Sequence, residues 1–126
     1  MTRLPAPSAE AIATLTARAE QAERIAAERL DALAAVLEAL DVPYAATVGD
    51  AEVRDPIALQ RVMLVVVMLG AVLRDGRQPQ PEWLVPHSIA HLRERLAEHP
   101  ATGYKTWDEA VADLRARNEE GEEGHK

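Results

Sequence analysis

The segment from Ile57 to Leu73, IALQRVMLVVVMLGAVL, is the most hydrophobic stretch of the chain. From Val62 onward it has no charged or strongly polar residue, and its side chains would point to every side of a helix. A helix that is apolar on all sides is expected to be buried on all sides. Asp55 is a suitable N-cap, and Pro56 suits the first helical position. The pattern therefore predicts a buried central helix over residues 56–74, around which the other segments pack.

Two other interpretations of this segment are a membrane-spanning helix and a buried β-strand. A membrane helix needs about 20 apolar residues, and Gln60, Arg61 and Arg74 leave a shorter apolar run. The valines at 65–67 favour a strand. However, the capping residues, with Gly76 closing the segment, and the length of the segment are typical of a helix. We therefore expect a helix and no membrane partner.

The amino-terminal third of the chain carries a helical stripe of apolar residues. Between Ala9 and Leu40 there is no Pro or Gly, Ser8 is a suitable N-cap, and Pro43 would stop a helix. This pattern predicts a long helix over about residues 8–41, after a flexible lead-in over residues 1–7. The apolar residues recur three or four positions apart: Ile12, Leu15, Ala19, Ala22, Ile25 with Ala26, Leu30, Leu33, Leu37 and Leu40.

This helix is longer than the domain to which it belongs. It would span about 48 Å at about 1.5 Å per residue, whereas a compact chain of 126 residues has a diameter of about 36 Å. The helix therefore bends or breaks, or its overhanging end packs on another chain. We predict self-association as a homodimer, and the alternative is an intramolecular hairpin with a frayed amino end. The predicted interaction residues on this helix are Ile12, Leu15, Ala19, Ala22 and Ile25.

Two shorter helices are predicted in the carboxyl-terminal part. The third helix is expected over about residues 86–98, beginning at Pro86 or at Ser88 as an N-cap. The fourth, over residues 106–118, begins with the capping box Thr106-Trp107-Asp108-Glu109 and continues as an amphipathic face. Trp107 is interpreted as a core anchor against the central helix.

The fold class that follows is all-α, a four-helix bundle-like domain with a long amino-terminal helix and a buried central helix. Residues 8–118 form a single helical domain, and the acidic residues 119–126 are predicted to be a disordered tail. Residues 43–54 are predicted to be a loop, because no second strand is available to pair with them. Residues 76–81 are predicted to be a turn and linker.

The composition narrows the classes of partner. The chain carries 21 Asp and Glu against 14 Lys and Arg, and its net charge of −7 opposes binding to nucleic acid or anionic lipid. It has no Cys, so disulfides and thiolate metal sites are excluded. The amino-terminal residues lack the apolar core of a signal peptide, and we expect a cytoplasmic location.

The residues most suggestive of chemistry are His87 and His91, which lie four positions apart on one predicted helix. Their imidazoles would face the same side and could ligate Zn²⁺. The pair lacks the Glu of the zinc-protease motif HExxH, and the plainer interpretation is two surface histidines. Ser88 beside His87 has no third group to complete a triad, and the sequence contains no glycine-rich phosphate loop. We therefore predict neither an enzyme nor a cofactor.

The third and fourth helices could instead form a helix–turn–helix pair for DNA. Acidic residues such as Asp108 and Asp113 on the would-be recognition helix have the wrong sign for a phosphate backbone. The segment YKTWDEAVADLRARNEE, residues 104–120, resembles the terminal helices of small bacterial antitoxins. That resemblance covers under a fifth of the chain and implies a DNA-associated regulator.

The leading hypothesis is a non-enzymatic interaction or regulatory protein that associates with itself or with another protein through helical surfaces. Trp83, in a proline-flanked stretch, is either a packing residue or a binding hot spot, and it joins the interaction candidates. The first alternative is a DNA-associated transcriptional or antitoxin-like regulator that uses the third and fourth helices. The second alternative is a small metal-binding or enzymatic protein that uses His87 and His91.

Overall fold

The computed structural model describes Ala6, residues 8–73 and residues 81–124. The described residues form an all-α, bundle-like structure, as the sequence predicts. The helices α1, α2 and α3 pack on one another. Among the described residues, α4 packs on none of the other three helices. The four helices are α1 (Ala9–Leu40), α2 (Val48–Leu73), α3 (Leu84–Leu96) and α4 (Trp107–Gly124).

Four predicted features lie at least partly outside the described residues. They are the lead-in at residues 1–5 and 7, the helix end at residues 74–76, the linker at residues 76–80, and residues 125–126 of the tail.

The first helix is continuous and overhangs the bundle. Its N-cap is Ser8, as predicted, and the Ser8 Oγ accepts a hydrogen bond from the Ala11 N–H at 3.1 Å. Every residue from 9 to 24 is exposed, so the amino-terminal half of α1 has no bundle around it. Self-association and its alternative, an intramolecular hairpin with a frayed amino end, both stay predictions, since the carboxyl-terminal half of α1 packs on α2 and α3 while the other half is exposed.

The second helix begins earlier than predicted. Thr47 precedes its first turn, and the Thr47 Oγ1 accepts a hydrogen bond from the Asp50 N–H at 3.0 Å. The prediction of Asp55 as the N-cap is wrong, because Asp55 and Pro56 both lie inside the helix. Pro56 has no N–H to donate one turn back, so the helix tolerates the loss of one internal hydrogen bond there.

The second helix is central, since it packs on both α1 and α3, but it is buried on one side only. Val65 and Met68 are buried, whereas Val67, in the same apolar run, is 69% exposed. The expectation of burial on all sides is wrong because α4 does not cover the outer side. By length and composition alone, α2 is the one helix among the described residues that could cross a membrane, a property that core helices of soluble proteins share.

The last two helices differ from prediction at their ends. Ser88 lies inside α3 rather than at its N-cap, and its Oγ donates to the Leu84 carbonyl oxygen at 2.8 Å. Thr106 caps α4 as predicted, since its Oγ1 accepts from the Glu109 N–H at 3.2 Å. Residues 119–124, expected in a disordered tail, continue α4. Their Glu residues are good helix formers.

Short backbone contacts hold α4 beside the α1–α2 loop. Ala45 and Thr106 form an isolated antiparallel bridge, and the Ala46 N–H donates to the Lys105 carbonyl at 2.9 Å. The Tyr104 hydroxyl donates to the Pro43 carbonyl at 3.0 Å. Residues 43–47 are thus a loop, as predicted, with one bridged residue rather than a strand, whereas the prediction of a loop over residues 48–54 is wrong because they form the first turns of α2.

Arg61 joins all three packed helices. Its Nε donates to the His99 carbonyl beyond the end of α3 at 2.8 Å, and its guanidinium also donates to the Glu38 and Ala39 carbonyls in the last turn of α1, at 3.3 and 3.2 Å. Arg61 is buried. Carbonyls at a helix carboxyl end lack partners within the helix and carry partial negative charge, so a buried cation satisfies them.

We expect Arg61→Met to destabilise the bundle by about 3 kcal/mol, because it leaves buried carbonyls without their donor. Urea unfolding followed by circular dichroism at 222 nm measures the change. Arg115→Met, on the exposed surface of α4, is the matched control and should change stability by less than about 0.5 kcal/mol. Equal effects of the two substitutions would contradict the role assigned to Arg61.

Candidate protein-interaction surfaces

An extended apolar feature on the surface is the leucine stripe of α1, defined as Leu30, Leu33, Leu37 and Leu40 together with Ile12 and Leu15. All six side chains are exposed, from 48% for Leu40 to 75% for Leu37. At 100° per residue they share one side of the helix. Single exposed leucines are ordinary, whereas a contiguous row of them is typical of surfaces that contact another protein.

The opposite side of α1 forms the core with small side chains. Ala32, Ala35 and Ala39 are buried and cluster with Val65, Met68 and residues of α3. Alanine has little side chain beyond its Cβ, so it permits α2 and α3 to approach the α1 backbone closely. The bundle therefore uses the alanine side of α1, and the leucines face away from it.

The predicted interaction residues on the amino-terminal half of α1 lie along the leucine stripe or beside it. Ile12, Leu15, Ala19 and Ala22 are exposed, and Ile25 is half-buried at the side of the stripe nearer to the bundle. The sequence pattern places Leu30, Leu33, Leu37 and Leu40 on the same stripe, but they are not among the predicted interaction residues. They face away from the bundle because the alanines behind them are buried, which periodicity alone does not reveal.

Two further apolar faces are exposed. On α2, the side away from the bundle presents Leu59, Met63, Val66 and Leu73 at helical spacing. On α4, the amphipathic face predicted from the sequence is present, and its three large side chains are exposed: Trp107, Val111 and Leu114. The prediction that Trp107 anchors the core is therefore wrong, because no other helix covers α4.

The sixth interaction candidate, Trp83, is 63% exposed at the start of α3. Its ring meets His87 edge-on with centroids 5.8 Å apart, and His87 stacks on His91 at 6.2 Å. The two histidines line a groove of about 280 Å³ between α2 and α3, which has Leu64 and Val67 among its apolar residues. Trp83 thus belongs to an exposed aromatic row on α3.

The described residues contain no group of three or more His, Asp or Glu side chains arranged to hold a metal ion. His87 and His91 do lie side by side, but two imidazoles are fewer than the three or four protein ligands of zinc sites. The Ser88 hydroxyl, between them in sequence, donates to the Leu84 carbonyl within its own helix. Among the described residues, no additional side chain therefore joins His87 and His91 in a metal site, and none completes a catalytic triad with Ser88.

Salt bridges fix α3 on α1. Arg93 contacts Asp31 at 2.8 Å and Glu38 at 3.1 Å. Hydrogen bonds to Glu38 and Asp31 hold the pKa of Arg93 above its ordinary value. At the amino end of α3, Arg24 contacts Glu82 at 2.9 Å. These pairs lie on the surface and orient the helices more than they stabilise them.

The helix–turn–helix arrangement needs α3 and α4 to pack together. The described residues show no such packing. Lys105 instead forms an ion pair with Asp113 along α4, and its hydrogen bond and charge hold the pKa of Asp113 below the ordinary value. Asp108, Glu109 and Asp113 are all exposed on α4.

No protein-family model matches this chain, and neither a curated protein nor a solved structure matches it significantly. The functional argument therefore rests on the surfaces described above.

The exposure of both tryptophans can be measured separately. In Trp83→Phe only Trp107 emits, and in Trp107→Phe only Trp83 emits. Because both side chains are more than half exposed, we expect acrylamide to quench each variant nearly as efficiently as free N-acetyl-tryptophanamide. Strong protection of Trp107 from acrylamide would instead show that its side chain is buried in a core. Unfolding either variant in urea provides the fully exposed reference.

Proposed function

We propose that this protein is a non-enzymatic interaction protein that self-associates through the leucine stripe of α1. The observation that carries the proposal is the division of α1 into two sides, with buried alanines on one and exposed leucines on the other. The bundle contacts α1 through its alanine side. A second helix could therefore cover the stripe without displacing α2 or α3.

The energetics favour burial of this stripe. Covering a leucine side chain completely stabilises a complex by roughly 1.5–3 kcal/mol relative to leaving it in water. The stripe contributes six large apolar side chains from each copy, each about half to three-quarters exposed. Because α1 is already a continuous helix, association would not have to order it first, which lowers the entropic cost of binding.

The surfaces left over suit association with another protein. The outer face of α2 and the apolar face of α4 lie on other helices, so they would stay accessible if the leucine stripe were covered. Amphipathic helices commonly bind by placing such a face in a groove of a partner. We propose that these two faces bind the protein that is regulated, whereas α1 sets the oligomeric state.

We expect Leu15→Asp and Leu33→Asp to weaken self-association, because each places a charge within the apolar interface. Light scattering coupled to size exclusion, over a concentration series, measures the molar mass. The wild type should approach twice its chain mass as concentration rises, and each variant should dissociate at concentrations at least tenfold higher than those that dissociate the wild type.

The matched control is Leu114→Asp, which makes the same change at an equally exposed leucine on α4. It should leave the molar mass unchanged. Circular dichroism should show that all three variants retain their helices, since none of the substituted side chains is buried. A wild type that is monomeric throughout the series, or a control that dissociates like the stripe variants, would overturn the proposal.

A further inference from the structure

We infer that α1 pairs with α1 of a second copy in the parallel orientation, as a two-stranded coiled coil. This inference rests on the proposed function, and it adds the direction and alignment of the two chains. Three observations carry it: the spacing of the stripe, the charges along its two edges, and the position of the bundle.

The spacing of the stripe matches a coiled coil with one irregularity. Ile12, Leu15, Ala19, Ala22 and Ala26 follow each other at alternating intervals of three and four. One further interval of four then precedes the leucines, which resume the three–four alternation. Such an insertion locally unwinds a supercoil but keeps the apolar residues on one side. The stripe is therefore continuous along α1 for about 42 Å at about 1.5 Å per residue.

The two edges of the stripe carry opposite charges. At 100° per residue, Arg18 and Arg29 border one edge, and Glu20 and Glu23 lie toward the other. All four side chains are exposed. Arg18 occupies position g of the heptad that contains Leu15, and Glu23 occupies position e of the next heptad; charges at these flanking positions set partner choice and orientation in coiled coils.

The charges on these two edges favour one relative orientation of the two chains. In a parallel two-fold dimer the basic edge of one helix faces the acidic edge of its neighbour. Arg18 then lies opposite Glu23 of the partner subunit, and the same pair recurs by symmetry. In an antiparallel dimer like edges face each other, so the pair between Arg18 and Glu23 of the partner subunit does not form. Such an exposed pair is worth only about 0.2–1 kcal/mol, but both symmetry-related copies of the Arg18–Glu23 pair have the sign that favours the parallel form.

The bundle does not obstruct this pairing. Ala32, Ala35 and Ala39, which contact α2 and α3, lie on the side of α1 away from the stripe. Residues 9–24 of α1 are all exposed, and Arg24 reaches the amino end of α3 only through its side-chain contact with Glu82. A parallel dimer would thus place both bundles at the carboxyl end of the paired helices, with the amino-terminal halves paired beyond them.

The antiparallel arrangement is the main alternative, because it would place alanines of one stripe opposite leucines of the other. Aligning the two stripes end to end in opposite directions puts Ala26 at the two-fold axis and Ala19 opposite Leu33 of the partner subunit. Position 19 would then lie about 21 Å along the helix from its own copy. That separation is far beyond the reach of a disulfide, which needs Cα atoms within about 7 Å.

Disulfide trapping in the full chain separates the two arrangements, since the chain has no Cys of its own. We expect A19C alone to form a covalent dimer under mild oxidation on a non-reducing gel. A26C should crosslink in either orientation, and it reports whether the stripe is paired at all. A13C, an exposed position on the far side of the helix, is the matched control and should stay monomeric.

Each outcome decides one statement. A covalent A19C dimer with monomeric A13C supports the parallel coiled coil. Crosslinking of A19C only when it is mixed with L33C, while A26C links alone, overturns the orientation but leaves self-association standing. Failure of A26C to crosslink, together with a monomeric mass for the wild type by light scattering, overturns the proposed function and this inference together.

Discussion

The fold depends on one buried guanidinium. Arg61 lies in the most apolar helix of the chain and donates hydrogen bonds to carbonyls of Glu38, Ala39 and His99. Those carbonyls belong to the last turn of α1 and to the turn after α3, where partial negative charge accumulates and internal partners run out. A single cation therefore fixes where two helices end against a third, and an apolar residue at this position could not do so.

This arrangement sets which side of each helix is covered. The ends of α1 and α3 meet at Arg61, and the small side chains Ala35 and Ala39 then lie against α2 with no exposed area. Close approach through alanine makes a narrow bundle, so the larger leucines of α1 remain outside it. The same geometry leaves the outer side of α2 exposed. The exposed apolar area is thus a consequence of how the core is built, and the proposed self-association would cover the leucine row on α1.

The fourth helix is held by other means. Backbone bonds between residues 44–46 and 105–107, together with the Tyr104 hydroxyl on Pro43, set where it begins. Its capping hydrogen bond is local to Thr106 and Glu109. Nothing in the described bundle packs on its apolar face, so its position depends on the loop rather than on a core. A helix attached in this way can present Trp107 to a partner without disturbing the other three helices.

The sequence by itself determined the features that involve atoms within one turn of each other. The caps Ser8 and Thr106, the all-α class and the long apolar stripe were predictable because their signals are local. Tertiary structure alone decided which side of each helix is buried. An alanine row and a leucine row are both apolar, and only the approach of α2 and α3 selects between them. Likewise, Arg61 looked like an interruption of a hydrophobic run, because its carbonyl partners lie between 22 and 38 positions away along the chain.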